Sequence, residues 1–252
     1  MGGSNLNLTV IGFWGAYPNL NEPTSGYLLR TENQNILIDC GSGVLSNLER
    51  YINTRDLDSV IISHEHSDHC ADLICLIYNA MIEFQLGIRE KRLKIYAPIS
   101  LNHIRQYCDE SYSTFEFYGE KSILNIENVS VRFSKNVHPV ESYAMSFVIR
   151  EKGIRKKITY SGDTQLNDDL INLSDNSDLL VCECSLYENM AVDITGHMSS
   201  VDAGMLAFKS NSKRLLLTHL PHFGDHELLL EESGNIFNGK LELARCGLNL
   251  EI

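Results

Sequence analysis

The sequence has few basic residues, no long apolar run and no paired cysteine motif. Lys and Arg number 21 against 33 Asp and Glu, so the 252 residues carry a net charge of −12. A nucleic-acid-binding protein usually has a basic footprint, and this balance argues against a strong one here. No apolar stretch is long enough to span a membrane, and Met1 to Val10 lacks the basic flank and apolar stretch of a signal peptide. We therefore expect a cytoplasmic protein with no membrane partner.

The seven cysteines are scattered without a CxxC pair, which favours free thiols over a disulfide framework. Cys182 and Cys184 have the spacing of residues on one side of a strand, and we predict that both are buried as small apolar side chains. Cys70 follows a histidine-rich segment and could approach a metal there. The tendency of free cysteines to be buried makes a structural role the expectation for Cys70 as well.

Short apolar runs alternate with longer periodic ones, which predicts a mixed α/β protein. No repeat or Pro/Gly-rich linker interrupts the chain, and its length suits one domain over residues 1–252. The predicted strands are Leu6–Phe13, Gly26–Arg30, Ile36–Asp39, Ser59–Ile62, Leu93–Tyr96, Val129–Phe133, Met145–Arg150, Lys157–Tyr160, Leu179–Cys182, Arg214–Leu217 and Leu241–Ala244. The predicted helices are Val44–Ile52, His69–Leu86, Ser100–Cys108, Gln165–Leu173, Ser200–Lys209 and His226–Ser233. The apolar helix His69–Leu86 is expected to be core, although a homodimer interface is the alternative.

Polar residues follow several of these strands directly. The segment Ser63–His69 follows the strand ending at Ile62, Asp163 follows the one ending at Tyr160, and His219 follows the one ending at Leu217. Loops at the same ends of neighbouring strands can converge on one site. Within residues 64–69 the sequence HEHSDH places three histidines and one aspartate, the ligand types that Zn²⁺ prefers. A solvated surface loop does not need such a density, so we predict a metal site.

The pattern HxHxDH after an apolar strand resembles the signature of the metallo-β-lactamase superfamily. Later segments resemble the family's further ligand positions in the same order: Asn136-Val137-His138, Tyr160-Ser161-Gly162-Asp163-Thr164 and Leu217-Thr218-His219. The resemblance implies an α/β (α+β) fold, a four-layer αβ/βα sandwich, and two divalent metal ions, zinc with manganese as the alternative. It implies that one metal is held by His64, His66 and His138, the other by Asp68, His69 and His219, and that Asp163 bridges them. A hydroxide between the metals would be the nucleophile.

Each later ligand also has an ordinary interpretation when taken alone. His138 precedes a proline and could be a hydrogen-bonded loop residue. Asp163 could be the N-cap of the predicted helix from Gln165. His219, before Leu-Pro, could belong to a simple loop. The joint order of these residues is what favours the metal interpretation.

Four segments resemble the ribonuclease Z branch of the superfamily, which contains tRNA 3′-end endonucleases: His138–Tyr143, Tyr160–Thr164, Asp178–Glu183 and Gly196–Ser200. The resemblance implies that His197 is an extra catalytic group that protonates the leaving oxygen. Glu183 would orient His197. The resemblance thus implies three catalytic residues, Asp68, Glu183 and His197. Alternatively His197 only stands at the start of a helix, which Ser199 or Ser200 would cap.

The sequence departs from that branch between His138 and Asp163. Ribonuclease Z has a long tRNA-gripping arm there, whereas these residues are 25 positions apart and a tight turn at Glu151-Lys152-Gly153 joins two predicted strands. The basic residues around that turn could contact an anion but cannot replace an arm: Arg150, Lys152, Arg155, Lys156 and Lys157. We therefore predict a phosphodiesterase that acts on a small phosphodiester or short oligonucleotide. The alternatives are a carboxyl ester, lactone or thioester hydrolase, a tRNA 3′-processing endonuclease, and a non-catalytic binding protein.

Overall fold

The computed structural model describes residues 6–190 and 196–252. Residues 1–5, which belong to the segment without a signal-peptide pattern, lie outside this range. The chain divides into two compact units. The first unit comprises the chain up to Tyr118 together with Arg245–Glu251, and the second comprises Gly119–Ala244. A single domain over residues 1–252 stays a prediction.

Strands and helices alternate along both units. The strands of the described residues are β1 Asn7–Gly12, β2 Gly26–Arg30, β3 Asn35–Ile38, β4 Ser59–Ile61, β5 Leu93–Ala97, β6 Ser113–Phe117, β7 Ile123–Ile126, β8 Val129–Lys135, β9 Tyr143–Glu151, β10 Ile154–Tyr160, β11 Leu179–Glu183, β12 Arg214–Thr218, β13 Lys240–Leu243 and β14 Asn249–Glu251. The α-helices are α1 Val44–Leu48, α2 Ser67–Cys70, α3 Leu73–Gln85, α4 Asp168–Ser174, α5 Ser200–Lys209 and α6 His226–Gly234. Short 3-10 segments cover Thr54–Asp56, Ile99–Tyr107 and Glu188–Met190.

The first unit is built on a mixed sheet of order β14-β1-β2-β3-β4-β5-β6. Strands β1, β2 and β3 pair antiparallel, whereas β3 to β6 run parallel. Leu37, Val60 and Ile95 from three of these parallel strands share one buried apolar cluster with Leu73 and Leu76 of α3. The parallel strands of this sheet are therefore packed against α3 through one apolar core.

The second unit is built on a mixed sheet of order β13-β12-β11-β10-β9-β8-β7. Strands β7 to β10 pair antiparallel, and β10 to β13 pair parallel. Helix α4 packs on β8 and β9, and α5 packs on β11, β12 and α6. The parallel strands β10, β11 and β12 bring their carboxyl ends to one edge of this sheet.

The predicted α+β class is confirmed, because both sheets are mixed and carry helices. Every predicted strand is present with small differences in its bounds. Strands β6, β7 and β14 were missed; each lies at the edge of its sheet and pairs on one side only. Edge strands are half-exposed, so their apolar pattern is weak.

The predicted helix His69–Leu86 is wrong as one continuous helix. It breaks at Ala71 and Asp72 into α2 and α3. The carbonyl of His69 accepts a hydrogen bond from the amide of Cys40, and the amide of Asp72 donates to the carbonyl of Cys40. These tertiary bonds replace the helical ladder at that point. The predicted helix Ser100–Cys108 is a 3-10 segment instead.

The expectation that the His69–Leu86 region is core holds for one face of α3. Leu73, Leu76 and Ile77 are buried, whereas Ile82 and Phe84 are 50% and 40% exposed. Within the described part of the chain, no helix combines the length and the apolar character required to cross a bilayer.

Candidate metal centre

In the first unit, the histidine-rich loop follows β4 and leads into α2. His64 and His69 are completely buried, and Asp68 is nearly so. Burying this many polar side chains is costly unless hydrogen bonds or a bound ion compensate. The compensation begins with Asp39, which follows the neighbouring parallel strand β3 and is also buried.

Asp39 sets the tautomer of His69. One Asp39 oxygen accepts from the Ser63 amide at 2.6 Å, and the other accepts from Ser63 Oγ at 2.8 Å and lies 2.7 Å from His69 Nδ1. A carboxylate can only accept, so His69 Nδ1 is the donor and Nε2 keeps its lone pair. A carboxylate behind an imidazole is the arrangement commonly found behind metal-ligating histidines.

The same reasoning extends to His64. Ser63 Oγ gives its proton to Asp39, and it therefore accepts from His64 Nδ1 at 3.0 Å. The remaining ring nitrogen, His64 Nε2, lies 3.2 Å from His66 Nδ1. Two nitrogens held tetrahedrally at the usual Zn–N length would be about 3.3 Å apart. The pair therefore fits two ligands on one metal ion.

Asp68 completes the cluster of the first unit. Its Oδ2 accepts from the amide of Ala16 at 2.8 Å and lies 3.5 Å from His69 Nε2. Ala16 has a left-handed backbone, φ 61°, which is uncommon for a residue other than glycine and is frequent at functional sites. The carboxylate is thus fixed beside the lone-pair nitrogen of His69.

In the second unit, Asp163 and His219 follow the parallel strands β10 and β12. The carbonyl of Asp163 accepts from Asn136 Nδ2 and Ser142 Oγ, both at 3.1 Å, which fixes the loop after β10. Asp163 is not a helix N-cap, because α4 starts later and Asn167 caps it through the Leu170 amide. His138 Nδ1 donates to the carbonyl of Gly196 at 2.8 Å, which leaves Nε2 as its lone-pair atom.

His219 is oriented through Ser185. Ser185 Oγ donates to Glu183 Oε2 at 2.7 Å, so it accepts from His219 Nδ1, also at 2.7 Å. His219 Nε2 then faces Asp163 Oδ2 at 3.3 Å, with a lone pair on each atom. Two such atoms repel at that distance unless a cation or proton lies between them. The spacing again fits two ligands of one metal ion.

Glu183 and His197 lie beside this pair. Glu183, at the end of β11, is buried and accepts from the Thr164 amide at 2.5 Å and the Met198 amide at 3.2 Å. Its Oε2 lies 3.1 Å from His197 Nδ1. The His197 ring stacks on His219 at 5.5 Å between centroids and meets the edge of His138 at 5.2 Å. The carboxylate therefore holds a partly exposed imidazole next to two candidate ligands.

The sequence analysis missed three supporting residues: Asp39, Ser63 and Ser185. Asp39 had a signal, since it is a carboxylate directly after an apolar strand. The two serines had none, because a hydroxyl becomes informative only once its neighbours are known. The cysteines follow expectation: Cys182 and Cys184 are buried, and Cys70 Sγ donates to the carbonyl of Glu65. Burial raises the pKa of Cys70 to about 12, which disfavours the thiolate.

Known proteins resemble this chain in sequence and in fold. The family model of the β-lactamase superfamily domain matches residues 34–220. The Bacillus subtilis protein named "Probable metallo-hydrolase YhfI" is 37% identical over 96% of this chain and 98% of its own length. The crystal structure of YhfI, described as a metallo-beta-lactamase fold protein, superposes with a TM-score of 0.92 over 98% of this chain and 99% of YhfI.

Two ribonuclease Z proteins are more distant. Ribonuclease Z of Sulfolobus acidocaldarius is 26% identical over 92% of this chain and 94% of its own length. The short form of human tRNase Z shares the fold, with a TM-score of 0.77 at 22% identity over 98% of this chain and 99% of that one.

Proposed function

Because the chain belongs to the metallo-β-lactamase superfamily and is a metal-dependent hydrolase, we propose that it is a phosphodiesterase for small phosphodiesters or short oligonucleotides. The observation that carries this proposal is the Glu183–His197 pair beside His219 in the second unit. Ester hydrolysis with a poor leaving group needs a proton donor at the leaving oxygen. Glu183 accepts from His197 Nδ1 and so orients the ring that would give that proton.

The proposed metals are two divalent ions, zinc with manganese as the alternative. Their ligands are assigned from the order of the family motif: His64, His66 and His138 for one ion, Asp68, His69 and His219 for the other, and Asp163 as the bridge. The lone-pair nitrogens and carboxylate oxygens described within each unit support this assignment. When bound, such ions supply an activated water and offset charge on the phosphoryl oxygens.

The side chains around the proposed metals have separate roles in this proposal. Asp39 and Ser185 hold the ligand rings in the tautomer that presents Nε2. Asp68 is held by the Ala16 amide as the predicted catalytic carboxylate. Glu183 orients His197, and His197 moves the proton to the leaving oxygen.

The small substrate is supported by the second unit's β9–β10 hairpin. Glu151 pairs directly with Ile154 across the turn, so no arm is inserted between His138 and Asp163. Phosphodiester chemistry is supported by the relative named ribonuclease Z. A cytoplasmic location is also proposed, and the seven free cysteines support it, because thiols stay reduced there.

A comparison of ester classes tests the proposal. Purified protein would be assayed with a chromogenic phosphodiester and with nitrophenyl carboxyl esters, lactones and thioesters. We expect metal-dependent turnover of the phosphodiester at the higher kcat/KM. Preference for a carboxyl ester would replace the phosphodiesterase assignment, and turnover of neither class would favour a binding protein.

Metal content is measured on the same preparation. We expect close to two equivalents, and Asp163→Ala should lower the occupancy of both ions because it is the proposed bridge. Full retention of either ion in that variant would contradict the bridge.

A further inference from the structure

One face of strands β8, β9 and β10 in the second unit carries a concentration of positive charge. Successive residues of a strand point to opposite faces. Val131, Phe147 and Ile158 lie on the buried face. The opposite face holds four cations and, from these three strands, no carboxylate: Arg132, Arg150, Arg155 and Lys157. In a chain of net charge −12, such a face calls for an explanation.

The strand register makes this arrangement costly. Arg150 of β9 stands directly opposite Arg155 of β10. Like charges in directly opposed positions destabilise a sheet. Lys157 lies two residues further along β10 on the same face. Burial lowers the pKa of Lys157. The positive charges of Arg155 and Arg132 lower it as well, whereas the charge of Asp175 raises it.

The cations border a groove of 860 Å³ between β7–β10 and α4. That volume is within the range of small-ligand sites. Hydroxyl groups of Ser130 and Ser146 also line it. Three carboxylates contribute to the lining: Glu120, Glu127 and Asp169. Among the described residues, none of them comes within 4.0 Å of the guanidinium nitrogens of Arg132, Arg150 or Arg155, and all three arginines are exposed.

We propose that this groove binds a small anion with two or more phosphate groups, such as inorganic polyphosphate or a nucleoside polyphosphate. Arginine presents a planar fork of donors that matches phosphate oxygens. The opposed pair Arg150 and Arg155 would hold one phosphate, and Arg132 would hold the next. Lys157 adds its charge to the groove while its ammonium donates to the carbonyl of Asp175 at 2.6 Å. A bound anion would offset the repulsion between the opposed Arg150 and Arg155.

This groove is separate from the metal ligands of the second unit. Arg150 and Arg155 stand at the hairpin end of β9 and β10, whereas Asp163 follows the opposite end of β10. The groove is therefore a second ligand site and not an extension of the His138–Asp163 loops.

Calorimetric titration at low ionic strength with tripolyphosphate and with ATP tests the proposal. The wild type should bind one equivalent of tripolyphosphate, and the Arg150→Gln/Arg155→Gln variant should bind at least about tenfold more weakly. Lys209→Gln, which removes an exposed cation from α5, is the matched control and should bind like wild type. Tighter binding of ATP than of tripolyphosphate would identify a nucleoside polyphosphate, and equal binding would identify the inorganic form.

Thermal melting gives a second signature. Without ligand, the double variant should melt about 1–3 °C above wild type, because the opposed charges are gone. Addition of tripolyphosphate should raise the melting temperature of the wild type more than that of the variant. A higher melting point also establishes that the variant is folded.

Polyphosphate can also bind metal ions, so the titration is repeated with Asp163→Asn, which should hold less metal. The arginine-dependent binding should persist there, whatever the outcome for catalysis. Equal tripolyphosphate affinity in wild type and the double variant overturns the proposal, as does the absence of saturable binding below about 1 mM.

Discussion

At the scale of single residues, substitution of His197 can distinguish acid catalysis from metal binding. It contacts Glu183 and stacks on His219, but its proposed role is at the leaving oxygen. His197→Ala should keep its metals and lose about 10²–10⁴-fold in rate on a phosphodiester with an alkoxide leaving group, roughly 3–5 kcal/mol. The loss should shrink for a nitrophenyl leaving group, which hardly needs a proton.

The measurement is the ratio of the two rates in wild type and His197→Ala at matched metal content. His103→Ala, which removes an exposed histidine of the first unit, is the control and should leave the ratio unchanged. An unchanged ratio in His197→Ala would show that this residue does not protonate the leaving group. The phosphodiesterase proposal would then lose the observation on which it mainly rests.

We predict that Ser185 is a positioning residue that acts through His219. Its hydroxyl lies between Glu183 and His219 Nδ1, at 2.7 Å from each. Loss of such a supporting hydrogen bond typically weakens metal affinity by about 10–100-fold. Ser185→Ala should therefore lose metal to a competing chelator at a lower chelator concentration, and Ser185→Thr should restore the affinity.

A general loss of stability has to be separated from this effect. Ser177 is a buried serine of the same unit, and its hydroxyl donates to the carbonyl of Ser174 at 2.7 Å, away from the ligands. Ser177→Ala should lower the melting temperature without changing chelator competition. If both alanine variants behaved alike, Ser185 would have only a structural role.

At the scale of the element, helix α5 ties His197 to the loop after β11. Ser199 is its N-cap and forms a capping box with Asp202. On either side of the cap, the amide of Ser185 donates to the carbonyl of Met198 at 3.2 Å, and the amide of Ser200 donates to the carbonyl of Leu186 at 2.9 Å. The backbone directly after His197 is therefore fixed to the loop after β11.

Removal of the cap should loosen that attachment. Ser199→Ala should cost about 1 kcal/mol of unfolding free energy, or about 2–4 °C in melting temperature. It should also lower kcat on alkoxide-type substrates while leaving the metal content unchanged. Asp225→Ala, which removes the N-cap of α6, is the matched control and should lower stability alone. Equal losses of kcat in the two variants would contradict a link between α5 and His197.

The elements also show what sequence patterns can and cannot predict. Strands with two neighbours, such as β11 and β12, were predicted because burial on both faces gives continuous apolar runs. Of the four edge strands in the described sheets, β13 was predicted, whereas β6, β7 and β14 were not. The break between α2 and α3 depends on hydrogen bonds from Cys40, which is distant in the sequence. Similarly, ligand-type residues were predictable from their spacing, whereas Ser185 became visible only through its contacts.

At the scale of the whole molecule, net charge and hairpin length are the features that bear on the proposed preference for small phosphodiesters. Nucleic-acid affinity grows with the number of phosphates neutralised by Lys and Arg. This chain has a net charge of −12, and the basic face of β8, β9 and β10 borders a groove of small-ligand size. The β9–β10 hairpin turns at Lys152 and Gly153, with φ of 50° and 79°, the left-handed pair that a two-residue type I′ turn requires.

A two-residue turn leaves no chain for a tRNA-gripping arm between His138 and Asp163. We therefore expect weak or absent removal of a 3′ trailer from precursor tRNA under conditions in which a small phosphodiester is hydrolysed. The short form of human tRNase Z, assayed on the same precursor, is the positive control. Raising the protein concentration should increase any cleavage in proportion, because low affinity limits the reaction, but it should not make the cleavage specific for the 3′ end, because no arm fixes the tRNA in register. Efficient cleavage at the natural 3′ end would show that tRNA is bound by other surfaces, and the preference for small substrates would then be wrong.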